Sequence, residues 1–332
     1  MKIALFDAHR FERKVFDRVN EYFHHDVIYF EPRLTPETAK LAAGFPVICA
    51  FANDRLNEDT LKILKTGDTQ LIALRSAGFN HVDLAAAERL GLKVVRVPAY
   101  SPYAVAEHAV ALLLALNRKI CRANSRVRDL NFSLEGLVGF DLHEKKVGVI
   151  GTGRIGSVMA TIIRGFGSDV LAFDPVPNPE LKSIGVKYVS LEQLYLDADV
   201  ISLHVPLTKS TRHMIDEKAL GKMKSGVFLI NTGRGALIDT KALIASLKSG
   251  HIGAAGLDVY EEEENVFFQD LSEQVLQDDI LARLLTFPNV LITSHQGFLT
   301  QEALANIAET TLQNIEDFEK KRPLANEVKA SK

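Results

Sequence analysis

Three short segments in the C-terminal half of this chain carry side chains suited to chemistry. Arg234 stands between two glycines in "FLINTGRGALID", four glutamates occupy residues 261–264 in "AAGLDVYEEEEN", and His295 follows an apolar run in "LITSHQGF". Each segment ends a β-rich stretch, and in an open parallel sheet the residues just past the strand C-termini converge on one crevice. Singly, each has a plain structural use: a hydrogen-bonding histidine, a solvated acidic turn, an arginine on backbone carbonyls. Together they meet the needs of 2-keto acid reduction. A planar guanidinium grips a carboxylate through two parallel hydrogen bonds. Histidine, with an unperturbed pKa of about 6.5, can deliver a proton to a carbonyl oxygen near neutral pH. A neighbouring carboxylate favours its charged form, and the acidic turn must supply it. The spacing does not say which glutamate.

Such chemistry needs a hydride source, and one is written upstream. "KKVGVIGTGRIGSV" holds G-x-G-x-x-G at Gly151, Gly153 and Gly156, directly after a strand pattern and leading into a helix. The first glycine makes the tight turn, the second lets backbone approach a pyrophosphate, and the third permits close helix–strand packing. The helix N-terminus offers N–H groups and the positive end of its dipole. Eighteen residues past Gly156, "VLAFDP" carries Asp174, placed to accept from ribose hydroxyls. Such an acid repels a 2′-phosphate, and the following "PVPNPE" carries no Arg or Lys to hold one, so NAD is favoured over NADP.

These residues need a scaffold, and the apolar pattern describes it. "KIALFDA", "DVIYFE", "PVICAFA", "QLIALRSAG" and "LKVVRVP" read as strands, separated by stretches with a spacing near 3.6. Strand–helix alternation predicts a parallel sheet covered on both faces. From Ser101 a long helical stretch intervenes, with Pro102 at its first position. A second block repeats the scheme with "VLAFDP", "DVISLHVP", "GVFLINTG", "AAGLDVY" and "NVLITSHQ", and an amphipathic helix closes the chain. The expectation is an α/β protein with two doubly wound parallel sheets.

Composition agrees. At 332 residues the chain exceeds one ordinary core, and 47% hydrophobic with 24% charged residues describes a globular protein. A net charge of −3 without a strongly basic block argues against a nucleic-acid partner. "MKIALFDAHRFERK" meets charge before a signal-peptide core could form, and the longest apolar run, residues 109–116, is far short of the roughly 20 residues a membrane span needs. A cytoplasmic chain without membrane partners is expected. Cys49 and Cys121, the only cysteines, are expected to be buried thiols, with no disulfide framework or metal site.

"GTGRIG", "HVPLT", "NTGRGALID", "GLDVYEEE" and the late His295 resemble the D-specific 2-hydroxyacid dehydrogenase family over nearly the full length. Within it, the segments beginning "LRSAGFNHVDLAAAERLGLKVVRVPAYSPYAVAEH" and "DLNFSLEGLVGFDL", with "NVFFQDLSEQVLQDD", are most similar to the fermentative D-lactate dehydrogenase branch. The resemblance implies a flavodoxin-like substrate domain of residues 1–100 plus 299–332, a Rossmann NAD domain of residues 101–298, and an active-site cleft between them. It implies that Arg234 binds the substrate carboxylate and polarises the carbonyl, that His295 is the acid/base, and that Glu263 is its partner. Gly78 and Phe79 would hold the carboxylate through backbone N–H groups, with Tyr100 and Phe298 lining the pocket. Arg154, Ile155, His204, Val205, Pro206, Thr232 and Asp258 would surround the cofactor beside the glycines and Asp174.

Two positions depart from the common family pattern: Ser294 precedes the histidine and Glu264 follows the glutamate, where many members have proline. Both departures recur in the lactate branch and so narrow the substrate. The implied reaction is NADH-dependent reduction of pyruvate to D-lactate by a homodimer or dimer of dimers, with residues 101–130 as a subunit contact. The rivals are a bulkier or other 2-keto acid and, from another class, an NADH-sensing corepressor-like protein.

Overall fold

The structure, a computed structural model, describes residues 1–330. The chain divides into two compact units, one of Met1–Ser101 with the segment from Phe298 onward, the other Pro102–Gly297. The sequence reading put Ser101 and Phe298 in the second unit. Ser101 instead precedes a helix beginning at Pro102, and the Phe298 ring lies 6.2 Å from those of both Phe51 and Tyr100, within the first unit.

The first unit is built on a five-stranded parallel sheet: β1 (Lys2–Leu5), β2 (Asp26–Tyr29), β3 (Val47–Ala50), β4 (Leu71–Leu74) and β5 (Lys93–Val95). Their spatial order is β2-β1-β3-β4-β5, the flavodoxin-like winding, with its reversal of direction between β1 and β3. β3 ("VICA") and β4 ("LIAL") are buried throughout, as strands covered on both faces must be. The helix Gln301–Glu319 returns to this unit, capped by Thr300, whose hydroxyl accepts from Ala303 N–H. Ala303, Ile307, Ala308, Thr311, Leu312 and Ile315 are buried, a stripe at the helical period. Beyond it, Val328 N–H donates to Val94 O at 2.9 Å, tying the chain's end to β5.

The second unit carries seven parallel strands: β6 (Lys146–Ile150), β7 (Asp169–Phe173), β8 (Lys187–Tyr188), β9 (Val200–Leu203), β10 (Val227–Asn231), β11 (Ile252–Leu257) and β12 (Val290–Ile292). The order is β12-β11-β10-β9-β6-β7-β8, the Rossmann winding with one further strand, reversing between β6 and β9. β8 escapes sequence reading because an edge strand of two residues carries no periodicity to detect. The helical stretch after Ser101 is two helices, Pro102–Asn117 and Ile120–Arg128, broken where Lys119 adopts φ 51°. The first buries Ala106, Ala109, Val110 and Leu113 within this unit; the second buries nothing. Cys121 lies on that second helix and is exposed, contrary to expectation, whereas Cys49 on β3 is buried. Among the described residues no helix is long and apolar enough to cross a membrane.

Candidate active site

The reversal between β6 and β9 places the glycine loop beside the segment after β9. Gly151 takes φ +91°, and a Cβ there would stand 2.6 Å from His204 O and 2.8 Å from Val205 Cγ1. A Cβ on Gly156 would collide with Gly151 O, whereas at Gly153 nothing lies within 4 Å. The loop is therefore packed beneath and open above. Gly153 gives the helix Arg154–Gly165 no side-chain cap, so the first-turn N–H groups, including those of Arg154 and Ile155, remain for a ligand. Asp174 Oδ2 accepts from Thr152 N–H at 2.7 Å and Oδ1 from Val176 N–H at 2.9 Å. These bonds fix the carboxylate at the end of β7, with lone pairs to spare for hydroxyls. Burial pushes His204 down to about 4, so its ring is neutral, with Nε2 2.8 Å from Ser202 Oγ. Pro206 O accepts from Thr211 Oγ1 at 2.6 Å. At the end of β10, Thr232 Oγ1 is buried without a hydrogen-bond partner among the described residues, and a buried hydroxyl of this kind asks for a ligand atom. Open glycine backbone, uncapped helix, terminal acid and orphaned hydroxyl together fit a dinucleotide.

β12, β11 and β10 are neighbours, so Arg234, the acidic turn and His295 leave three adjacent strand ends. Two features shape the arginine loop. Asn231 Nδ2 donates to Arg234 O at 2.9 Å while its Oδ1 accepts from Gly233 N–H at 3.0 Å. Gly235 lies against the main chain of Tyr260 and Glu261, where any Cβ would collide, so glycine there lets the arginine loop seat on the acidic turn. Arg234 Nη1 donates to Gly233 O at 2.7 Å.

Two glutamates of the run take separate partners. Glu261 lies 2.6 Å from His213 Nε2 and 3.2 Å from Arg212 Nη2. Glu263 Oε2 accepts from Tyr260 N–H at 3.0 Å, and its Oε1 lies 2.7 Å from His295 Nδ1. The structure thus brings Glu263 and His295 into direct contact, 19% and 22% exposed. His295 adopts φ 50°, a left-handed conformation uncommon outside glycine.

Asp258 and its neighbours hold that conformation. Asp258 is 1% exposed, and its backbone O accepts from His295 N–H at 2.7 Å. Its carboxylate accepts from Gln296 N–H at 2.9 Å, Gly297 N–H at 2.8 Å and Thr293 Oγ1 at 2.5 Å. His108 Nε2 stands 3.0 Å from Thr293 Oγ1 and 3.2 Å from Asp258 Oδ1. Burial would raise this carboxyl; the hydrogen bonds from His108, Thr293 and Gly297 outweigh it and hold it below the usual carboxylate range. The carboxylate of Asp258, a residue expected around the cofactor, is bonded to the histidine segment. Neither His108 nor Thr293 stood out in the sequence, because only the fold brings them together across 185 residues.

In the first unit, Gly78 O accepts from Ser76 Oγ at 2.7 Å, and the Arg96 guanidinium lies over the Phe79 ring at 5.0 Å. Tyr100 O accepts from Asn306 Nδ2 at 2.6 Å. Phe298, buried, completes an aromatic group with Tyr100 and Phe51.

Residues 110–297 match the family profile described as D-isomer specific 2-hydroxyacid dehydrogenase, NAD binding domain. The chain is 52% identical over 319 residues to the 2-hydroxyacid dehydrogenase homolog 1 of Schizosaccharomyces pombe, covering 96% of each. It is 51% identical over 328 residues to the D-lactate dehydrogenase of Escherichia coli, covering 99% of this chain and 100% of the other. The solved structure of the pyruvate reductase of Chlamydomonas reinhardtii superimposes with a TM-score of 0.94 at 46% identity, covering 98% of each chain.

Proposed function

This chain belongs to the D-isomer specific 2-hydroxyacid dehydrogenase family and uses NAD, and we propose that its reaction is the reversible reduction of pyruvate to D-lactate. The observation that carries this reading is the set of three adjacent strand ends bearing Arg234, Glu263 and His295, with His295 held 2.7 Å from Glu263. The substrate is supported by the D-lactate dehydrogenase and pyruvate reductase names of close relatives.

NADH, when bound, supplies the hydride. Gly151, Gly153, Arg154, Ile155 and Gly156 would hold its phosphates, Asp174 its ribose, and His204, Val205, Pro206 and Thr232 its remaining faces. Arg234 grips the substrate carboxylate and polarises the ketone. Glu263 holds Nδ1 of His295, which leaves Nε2 as the atom that gives the proton to the carbonyl oxygen. In the first unit, the backbone N–H groups of Gly78 and Phe79 are assigned to the carboxylate. Tyr100 and Phe298 are assigned to the methyl side, where bulky aromatic neighbours favour a small keto acid over a branched one.

The reading carries a homodimer or dimer of dimers with it. Support for a subunit contact comes from apolar side chains exposed on and after the second helix of the joint: Ile120, Val127, Leu130, Phe132, Leu134 and Val138.

The test is direct. Purified protein, NADH and pyruvate should give rapid loss of NADH absorbance and lactate of the D form only. Oxidation with branched keto acids but not pyruvate would replace the substrate while keeping the chemistry. Failure with every 2-keto acid would overturn the reading.

A further inference from the structure

At the C-terminal edge of the first sheet lies a buried ion pair that the reaction does not use. Arg75 directly follows β4, and its side chain is 0% exposed against 4% for Glu12. Its Nε and Nη2 donate to Glu12 Oε2 and Oε1, each at 3.0 Å. The same guanidinium reaches backbone carbonyls at two other strand ends. Nη2 donates to Phe6 O at 3.0 Å and Asp7 O at 3.1 Å, just past β1, and Nη1 donates to Cys49 O at 3.1 Å on β3. β1, β3 and β4 are consecutive in the sheet and flank its reversal point. One rigid fork therefore sets the mutual position of three strand ends.

The chain then turns through residues 76–79, which are pinned from the other side. Arg96 Nη1 donates to Ala77 O at 2.8 Å, and Val97 N–H donates to Ser76 O at 3.2 Å. A buried pair of this kind is a weak source of stability, since well-packed apolar residues often serve as well or better. What apolar residues cannot supply is directional bonding to three carbonyl ends at once.

We propose that Arg75, oriented by Glu12, is a positioning residue: it fixes the β4 end so that the N–H groups of Gly78 and Phe79 are presented to a substrate carboxylate. This rests on the assignment of that loop to the carboxylate under the proposed function. It adds a residue that touches neither substrate nor cofactor and acts only through residues 76–79.

The test pairs Arg75→Met with Glu12→Leu, removing both charges while leaving a filled, apolar site. The double variant should fold, keep the wild-type KM for NADH, and raise the KM for pyruvate by about 10- to 100-fold, the scale of a small misplacement. Amide exchange across residues 76–79 should quicken, while exchange in the glycine loop of the second unit stays as in the wild type. A folded double variant with unchanged pyruvate KM and unchanged exchange would overturn the proposal. Should that variant not fold, Arg75→Lys carries the same readouts, with a smaller rise in pyruvate KM expected and an unchanged KM again overturning it. Were wild-type protein inactive on pyruvate, the reaction reading would fail alone, because the exchange measurement still decides the brace.

Discussion

The Arg75–Glu12 pair of the first unit and the His295–Glu263 pair of the second both sit at the C-terminal edge of a parallel sheet, in opposite settings. The first is sealed, with side chains 0% and 4% exposed, and its cation is shared with three backbone carbonyls. The second stands 22% and 19% exposed, its histidine bonded through Nδ1 and its backbone held left-handed. Arginine does not release its proton in proteins, so a sealed pair can fix geometry and do nothing else. Histidine changes charge near neutral pH, and partial exposure lets it exchange protons with substrate and solvent. Under the proposed function, one kind of contact serves for position where it is closed and for proton transfer where it is open.

The sharpest way to break this contrast is His295→Ala. Turnover should fall by about 10²- to 10⁴-fold, the usual contribution of a positioned acid/base. Urea unfolding should move by only about 1 kcal/mol, the net scale of the one side-chain hydrogen bond removed. Loss of stability in step with activity would mean that the open pair is structural after all. Arg234→Lys comes next. It keeps the charge and loses the planar fork, so the KM for pyruvate should rise by an amount worth roughly 1.5–3 kcal/mol, with NADH binding unchanged. An unaltered KM and rate would remove Arg234 from substrate binding.

Which parts of this were readable in the sequence follows from how far each feature reaches along the chain. The glycine loop, Asp174 and the strand patterns are local signals, and β6, β7, β9, β10, β11 and β12 fall where apolar runs place them. Arg234 and His295 stand out because each follows such a run. The glutamate partner was ambiguous from residues alone, because four equivalent side chains stand in a row. A short turn decides it, by returning Glu263 Oε2 to Tyr260 N–H. Asn231, His108, Thr293, Glu12 and Arg75 left no trace in the pattern. Arg75 and Glu12 are 63 residues apart, and a buried charge inside an apolar run looks the same in sequence as a surface one. Cys121 was misread for a related reason. It follows a long apolar helix in the chain, but the short helix that carries it is mostly polar and buries none of its residues.

Asp258 stands between the two cases, buried like Arg75 yet able to titrate, and it sharpens the comparison by the smallest effect. Its folded carboxyl is held below the usual range, against the pull of burial, by hydrogen bonds from His108, Thr293 and Gly297. An unfolded aspartate titrates near 3.9, at about the model-peptide value. A depressed folded value means that the stabilisation is present above that point and is lost as pH falls through the folded pKa. Asp258→Asn should therefore be less stable than wild type at neutral pH by about 1 kcal/mol, the net scale of one or two such bonds. The gap should begin to narrow as pH falls below about 3.9, where the unfolded chain takes up the proton, and should close only once pH has passed the lower folded pKa. Urea unfolding followed from pH 7 downward through the acid range measures the gap and its narrowing. A gap independent of pH would show that the side chain supports the histidine segment by shape alone, and would place Asp258 with Arg75 as a fixed brace.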